Sequence, residues 1–485
     1  MCKKKSIATN FINNSIYTAL NILFPIVTIP YISRVLEADY LGKVNYAINI
    51  VTWFLVFASL GIPRYGVREI SRVKDDKRKL SKVFSELFLV NLILTIVCVI
   101  VYLIAVNNVA YLVDNQRLFW VVGLQLILNI FNVDWFYQGI EEFGYITKRS
   151  VFVKTISLVA IFMFVKDKTD YTSYALILTL AAAGNNIFNA VHLRNYVLFS
   201  FHTLEMRKHI IPLCFLALAQ LAVSLYALLD TTILGYLCGE SAVGYYTNSQ
   251  KIIKAIASLC AALGTVLLPK FVELFSRNNI SEIEKMVSRV VSILLWICFP
   301  ICTGIVLLSE DIVLLMFGSD FGACVDTMRI LSPFILITTL GNLFGTQLLM
   351  AFGEEKQLLK SVLVGTIISI GANLIFIPKY QHNGAALGSI CVEAVVMSVQ
   401  ILMCKKHMLI HFNICVALKI VLQTSLMAVC VLPIISLVMN PLWAIMLAGI
   451  GGGVMYFASG VLLRNDIQSD IYRMFKSKLL ARFRK

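Results

Sequence analysis

The chain has 485 residues, of which 59% are hydrophobic and only 14% are charged, and its formal net charge is +15. This composition excludes an ordinary soluble domain, in which about 25% of the residues are charged, and it predicts an all-α protein that crosses a membrane many times. The basic residues lie mostly in particular loops, which is typical of membrane topology and argues against a protein that binds nucleic acid.

Long apolar segments predict fourteen transmembrane helices, since each is close to the roughly 20 residues that a bilayer requires. We place these helices near residues 11–33, 43–62, 82–106, 118–139, 150–165, 172–194, 210–232, 243–267, 287–308, 325–350, 358–377, 384–403, 414–438 and 441–463. The fifth segment is the shortest, and the sequence leaves open whether it crosses the bilayer fully. The first segment carries several asparagines on one helical face, among them Asn21.

The distribution of lysine and arginine predicts the orientation of the chain. With the N-terminus inside, about 31 of the 42 basic residues fall in the inner segments and about 7 in the outer loops. This bias predicts that both termini are cytoplasmic. No loop is long enough for an extramembrane catalytic domain, so we expect a protein that is not an enzyme.

A weak internal repeat predicts the domain organisation. Residues 34–42, after the first segment, resemble residues 236–244, after the seventh. The spacing predicts two pseudo-repeated six-helix lobes, 1–205 and 206–411, followed by two further helices and a basic tail, 412–485. Chance similarity remains an alternative. Repeated halves of transporters often enclose a central cavity with a substrate site.

Two charged residues interrupt the fourth and fifth segments. Asp134 lies in the fourth and Lys154 in the fifth. A charge inside a membrane helix costs about 2.5–3.5 kcal/mol on insertion scales, so each should face a partner or a wet cavity. An ion pair that only joins two helices is the alternative to a functional site.

The eighth segment carries a stripe of polar residues at helical spacing. Lys251 and Lys254 lie one turn apart, and Asn248 lies one turn before them. Two neighbouring cations repel each other unless water or an anion lies between them. The stripe therefore favours an anionic cargo. Asp230 and Glu393, in the seventh and twelfth segments, would bind a coupling cation or proton, or pair with lysines; the sequence leaves this choice open.

The inner loop after the second segment is strongly basic. Residues 64–82, which include Arg64 and Arg68, predict an interfacial helix that binds headgroups or captures a phosphorylated lipid at the inner mouth of a cavity. The chain has no phosphate-binding loop for ATP and no paired CxxC motif. We therefore expect no cofactor, no metal site and no disulfide framework.

Four stretches of this sequence resemble bacterial oligosaccharide flippases, the Wzx-type polysaccharide transporters of the multidrug/oligosaccharidyl-lipid/polysaccharide export superfamily. Together they span most of the chain. The stretches are Tyr31–Leu36 with Gly42–Tyr46; Gly61–Glu69; Asp134–Glu141 with Tyr145, Ile146 and Lys154; and Leu229–Asp230 with Gly244–Tyr246, Ile377–Lys379 and Gly384–Ala386. One departure is Glu37, where such proteins often have glycine, and we expect a less tight turn there.

The resemblance implies a flippase that moves a polyprenyl-diphosphate-linked oligosaccharide from the cytoplasmic to the outer leaflet of the bacterial inner membrane by alternating access. Its product would enter O-antigen, capsule or a similar surface polysaccharide, with a glycan polymerase and glycosyltransferases as partners. Cargo would contact Lys154, Lys251, Lys254 and Asn248, with Arg64 and Arg68 at the inner mouth. Gating or ion coupling would involve Asp134, Asp230 and Glu393.

Other functions remain open at this point. A multidrug exporter of the same superfamily would require an acidic cavity for cationic drugs, whereas this interior carries lysines. A lipid scramblase would not require buried lysines. A glycan polymerase would require a large outer loop with catalytic residues, and no loop here is long enough.

Overall fold

In the computed structural model, all regular structure among the described residues is helical. The structure describes residues 7–194, 196–197, 204–265, 267–277, 279–410, 413–470 and 472–473. The first ten helices are α1 (Ile7–Ser59), α2 (Ile62–Val73), α3 (Lys77–Asn108), α4 (Ala110–Asp114), α5 (Gln116–Leu128), α6 (Asp134–Gly139), α7 (Phe143–Phe164), α8 (Tyr171–Ala183), α9 (Asn185–Leu193) and α10 (Arg207–Cys238).

The remaining helices are α11 (Glu240–Thr265), α12 (Leu268–Ser276), α13 (Ile280–Met316), α14 (Cys324–Leu331), α15 (Phe334–Gly341), α16 (Glu355–Cys404), α17 (Ile414–Leu437) and α18 (Pro441–Leu462). A π-helix, Asn342–Leu349, follows α15 directly. Helical residues make up most of each of the fourteen predicted segments. Ten stretches of the described residues are long and apolar enough to cross a membrane by length and composition, and the count of fourteen crossings stays a prediction.

The chain divides into two compact units, residues 1–244 and 245–485. The first unit has an aromatic core in which Phe84 of α3 stacks on Trp135 of α6, with ring centroids 5.5 Å apart. Gly66 of α2 lies against the same indole, and any side chain at Gly66 would overlap it. Two of the stretches that resemble flippases therefore pack against each other. The predicted lobes, 1–205 and 206–411, stay a prediction.

The predicted fifth segment is longer in the structure than in the sequence analysis. α7 begins at Phe143 and has 22 residues, which at 1.5 Å per residue gives about 33 Å, enough to span the hydrocarbon core. The predicted interfacial basic helix forms only over Ile62–Val73. Asp76 caps the next helix by accepting hydrogen bonds from the backbone of Arg78 and Lys79, 3.0 and 3.2 Å away, so the residues from Lys77 onward belong to α3.

A sharp break divides α1 at Glu37. This residue has φ 57° and ψ 175°, a conformation that glycine adopts readily and other residues rarely. Gly239, the matching position of the internal repeat, has almost the same backbone angles, φ 83° and ψ −177°. The expectation of a less tight turn at Glu37 is therefore wrong, because the chain keeps the glycine-type conformation despite its side chain.

We expect Glu37→Gly to raise the free energy of unfolding by about 1 kcal/mol, because glycine removes the backbone strain at this position. The midpoint of thermal unfolding in detergent measures the change. Glu37→Gln is the control, since it removes the charge that lies 3.6 Å from Lys168 without freeing the backbone. A lower midpoint for Glu37→Gly than for the parent protein would contradict the argument.

Candidate functional site

Lys154 lies on α7 in the first unit and contacts the polar face of α1. Its Nζ donates a hydrogen bond to Oδ1 of Asn21 and lies 5.6 Å from the ring centroid of Phe24. A neutral amide and an aromatic face stabilise the ammonium without neutralising it. Among the described residues, no acidic side chain pairs with Lys154.

Asp134 pairs with Arg149 rather than with Lys154. The guanidinium of Arg149 donates to both carboxylate oxygens of Asp134, over 2.9 and 3.0 Å, and also to the side chain of Asn189. The amide of Asn189 in turn donates to Asp134 over 2.8 Å. Both bonds to Asp134 come from Nη2 of Arg149, while Nη1 donates to Asn189. Arg149 is buried, and this charge-assisted network joins three helices, α6, α7 and α9. Sequence reasoning missed Arg149 because the predicted fifth segment begins one residue later.

The backbone is not helical for several residues just before Asp134. α5 ends at Leu128, a short 3₁₀ turn spans Asn129–Phe131, and α6 begins only at Asp134. In a membrane such a break requires protein partners for the freed carbonyl groups. Asparagine amides supply them: Asn91 donates to the carbonyls of Asn129 and Ile130, over 3.0 and 3.2 Å, and Asn186 donates to that of Leu128 over 3.1 Å. The sequence signal for this network was the set of asparagines in apolar segments.

Arg64 and Arg68 are both exposed on α2. Arg68 lies over the ring of Tyr65, 5.1 Å from its centroid, and its Nε is 3.0 Å from a carboxylate oxygen of Glu69. The opposite face of α2 is buried. The helix therefore presents its basic side outward, as the prediction of an interfacial role requires.

A buried chain of hydrogen bonds holds α2 in place. The hydroxyl of Tyr65 lies 2.8 Å from Nδ1 of His209, and Nε2 of His209 lies 2.9 Å from the carboxylate of Glu86. Glu86 is fully buried and also lies 3.0 Å from Nζ of Lys208. These contacts join α2, α3 and the start of α10, so a shift of α10 would move the basic helix with it.

Glu205 closes this cluster on its exposed side. Its backbone N–H donates to Glu86 over 2.9 Å, and its own carboxylate accepts a hydrogen bond from Lys82 over 3.1 Å. The hydrogen bond from Lys82, together with the charges of Lys82 and Lys208, lowers the pKa of Glu205 below its usual value. Glu205 therefore remains charged at neutral pH.

The stripe Asn248, Lys251 and Lys254 lies on α11 in the second unit. Asn248 is fully buried, and neither its amide nitrogen nor its oxygen has a hydrogen-bond partner among the described residues. Lys251 is half-buried and Lys254 is exposed. An unpaired buried amide costs about 1–3 kcal/mol, and both polar atoms of this amide are inaccessible to solvent in this structure. Contact between Asn248 and cargo therefore stays a prediction.

The two remaining predicted residues lie in different units. Asp230, on α10, is buried and accepts a hydrogen bond from the backbone of Thr231 over 2.7 Å. Glu393, on α16, is partly buried. The roles of both residues in gating or ion coupling stay predictions.

The two repeated segments, 34–42 and 236–244, contact each other within the first unit. A Cβ at Gly42 would overlap the backbone carbonyl of Glu240, and a Cβ at Gly244 would overlap that of Ala38. Since Gly42 matches Gly244 and Ala38 matches Glu240 in the repeat, these two contacts are mirror images of each other. The hydroxyl of Ser241 donates to Asp39 over 3.0 Å, and these two positions also match. This reciprocal contact supports the repeat that the sequence predicts.

Comparisons with known proteins agree with this architecture. A family model described as "Polysaccharide biosynthesis protein" matches residues 7–275, and one described as "Lipid II flippase MurJ" matches residues 146–450. The chain is 21% identical to a "Putative O-antigen transporter" of Escherichia coli (strain K12), over 84% of this chain and 99% of that protein. It is 23% identical to "Capsular polysaccharide biosynthesis protein CapF" of Staphylococcus aureus, over 73% of this chain and 88% of that protein.

Solved structures show the same fold. The structure of a lipid II flippase MurJ in an inward closed conformation superposes with a TM-score of 0.75 at 14% identity, covering 93% of this chain and 99% of that one. The structure of an inward-facing multidrug transporter of the MATE family superposes with a TM-score of 0.65 at 17% identity, covering 79% of this chain and 94% of that one. The chain is thus a multi-pass membrane protein with a transporter fold. Because the first family model matches more than half of its length, it belongs to the polysaccharide biosynthesis protein family, the Wzx-type polysaccharide flippases.

Proposed function

We propose that this protein flips a polyprenyl-diphosphate-linked oligosaccharide from the cytoplasmic to the outer leaflet of a bacterial inner membrane. The observation that carries the proposal is the set of lysines on apolar helices, which are Lys154 in the first unit and Lys251 and Lys254 in the second, the last two on the same helix as Asn248. Lysines offset the charge of a diphosphate, and amides bind sugar hydroxyls. The names of the relatives, which include an O-antigen transporter and a capsular polysaccharide protein, support a surface glycan as the product.

Alternating access is the mechanism that we propose. A sugar chain in contact with hydrocarbon would lose its hydrogen bonds to water, at a cost of several kcal/mol for each polar group. A protein cavity that opens to one side at a time replaces these bonds. The paired glycines Gly42 and Gly244 form a contact without intervening side chains, which can close and separate as a unit.

The exposed arginines of α2 fit the capture of cargo. Arg64 and Arg68 face away from the core, on the side that the basic-residue bias places in the cytoplasm. The chain Tyr65–His209–Glu86 couples this helix to α10. We propose that phosphate groups of the lipid meet these arginines before they reach the lysines.

Ion coupling is a further part of the proposal. A dianion that moves outward alone across a 100 mV inside-negative potential would gain about 4.6 kcal/mol. Asp230 and Glu393 are the acidic residues that we propose for a coupling cation or proton, and Asp134 is a gating candidate whose carboxylate is held by Arg149. We propose no other cofactor and no catalytic activity.

The proposed partner proteins are a glycan polymerase and glycosyltransferases.

A multidrug exporter is the second candidate, since a MATE transporter shares the fold. Cationic drugs require acidic partners, whereas the predicted cargo stripe on α11 carries two lysines and an amide. The charge of this stripe favours an anionic cargo.

We expect Lys251→Ala combined with Lys254→Ala to remove cell-surface glycan while the amount of protein in the membrane stays unchanged, because the cargo diphosphate loses its counter-charges. Staining of the surface glycan, with immunoblotting of the membrane fraction, measures both quantities. The matched control is Lys251→Arg with Lys254→Arg, which keeps both charges and should retain glycan. Normal glycan in the double alanine variant would refute the proposed contact with cargo.

A further inference from the structure

The second unit contains a cavity of about 910 Å³ at the end of α18. It is lined by residues of the last turns of α18 and by residues that follow this helix, as far as Arg473. Trp296 of α13 also lines it. This volume lies within the range of about 300–1,000 Å³ that is typical of sites for small molecules. The bias of basic residues predicts that this end of α18 faces the cytoplasm.

One wall of the cavity carries two apolar residues followed by a basic one. Phe457 and Val461 lie one turn apart on α18, and Arg464, two residues beyond the end of the helix, lines the same cavity. Both apolar side chains are exposed, Phe457 at 54% and Val461 at 71%, as expected for residues that face acyl chains. The cavity wall therefore combines an apolar surface with a guanidinium group.

Two arginines that line the cavity have no ion-pair partner among the described residues. Neither the guanidinium of Arg464 nor that of Arg473 forms a hydrogen bond or an ion pair with any residue that the structure describes. Asp466, the acidic residue of the lining, lies instead 3.9 Å from Lys419. The cavity thus carries a net positive charge that is open to an anion.

The backbone of Arg464 is held in an unusual conformation. Its φ is 47°, in the left-handed region that costs a residue other than glycine about 1–3 kcal/mol. Nζ of Lys419 donates to its carbonyl oxygen over 2.9 Å, which fixes the turn and the direction of the chain beyond α18. Strained residues of this kind often occur at ligand sites.

Trp296 adds an aromatic ring to the lining. Its ring centroid lies 5.6 Å from that of Phe457. The two rings together extend the apolar part of the cavity wall.

We propose that this cavity binds an anionic phospholipid from the inner leaflet, with its phosphate between Arg464 and Arg473 and an acyl chain along Val461 and Phe457. Basic pockets beside membrane helices are typical binding sites for anionic headgroups. A water-soluble anion would use the arginines but leave the apolar surface without a partner. The combination of both surfaces assigns the site to a lipid.

Native mass spectrometry of the full-length protein, purified in detergent and stripped of lipid, tests the proposal with three probes: phosphatidylglycerol, phosphatidylcholine and glycerol 3-phosphate. We expect phosphatidylglycerol to bind more tightly than the other two. Arg464→Asn combined with Arg473→Gln should weaken its binding at least about tenfold, by analogy with the roughly 1 kcal/mol that each basic residue contributes near a membrane surface. Asparagine tolerates the left-handed backbone at this position.

The control variant, Lys270→Gln with Arg277→Gln, removes two exposed cations, one on α12 and one directly after it, and should bind phosphatidylglycerol as the parent protein does. If the double arginine variant does not fold, Arg473→Gln alone provides the test, since this residue is exposed beyond α18. Equal binding of the two phospholipids, unchanged binding by the arginine variants, or binding of glycerol 3-phosphate as tight as that of phosphatidylglycerol would each overturn the proposal.

Discussion

A single methyl group at Gly42 is expected to abolish transport. The Cβ of alanine would overlap the backbone carbonyl of Glu240, and a backbone atom cannot move aside as a flexible side chain can. The segments 34–42 and 236–244 would be forced apart, so the contact seen in the structure could not form. If the transport cycle passes through this contact, Gly42→Ala should reduce cell-surface glycan to background while the protein remains in the membrane.

The control for Gly42→Ala is the same substitution at Gly371. No atom lies within 4 Å of a Cβ built there, and alanine is favoured over glycine inside a helix by about 1 kcal/mol. Gly371→Ala should therefore retain full transport. Wild-type amounts of surface glycan in Gly42→Ala would show that closure of this contact is not required.

Removal of Arg149 is expected to have the largest effect on stability. Arg149→Met would leave the carboxylate of Asp134 without its cation and Asn189 without a donor. Loss of one partner from a fully buried ion pair costs about 3–5 kcal/mol. Because the side chain of Asp134 is 25% exposed and keeps its hydrogen bond from Asn189, we expect a loss near the lower end of this range. We expect a markedly lower midpoint of thermal unfolding in detergent and a reduced amount of protein in the membrane.

A double-mutant cycle separates the pair from its surroundings. Asp134→Asn combined with Arg149→Met removes both charges, so it should recover part of the stability that Arg149→Met loses. If the loss of stability in the double variant equals the sum of the losses in Asp134→Asn and Arg149→Met, the two residues do not stabilise each other.

The sequence predicted the helices well because the signal is physical and local. A bilayer requires about 20 apolar residues for each crossing, and every predicted segment is mostly helical in the structure. The repeat was also visible, because Gly42 and Gly244 occupy matching positions. Its consequence, a reciprocal contact between backbones, depends on tertiary structure.

The sequence could not identify the partner of Asp134. Lys154 was the nearest cation inside a predicted segment, whereas Arg149 fell just outside one. α7 begins at Phe143, so Arg149 is inside the helix and buried. Boundaries of elements are the least reliable part of a sequence-based assignment. Here the predicted segment began seven residues after the true start of α7, so Arg149 was assigned to a loop and its ion pair with Asp134 was missed.

Glu37 shows a similar limit. The sequence suggested a relaxed turn because glycine is absent, but the surrounding helices impose the conformation that glycine would adopt. Tertiary contacts override local preference at this position. The matching angles at Gly239 indicate that the repeat, rather than the residue, determines the backbone here.

Transport in proteoliposomes tests the central claim most directly. The purified protein would be reconstituted with a polyprenyl-diphosphate-linked oligosaccharide in one leaflet, and an added glycosidase would report the fraction that reaches the other. We predict a protein-dependent rise in the accessible glycan, without a matching movement of fluorescent phosphatidylcholine. Equal accessibility in protein-free liposomes, or equally fast movement of phosphatidylcholine, would contradict the assignment of a glycan flippase.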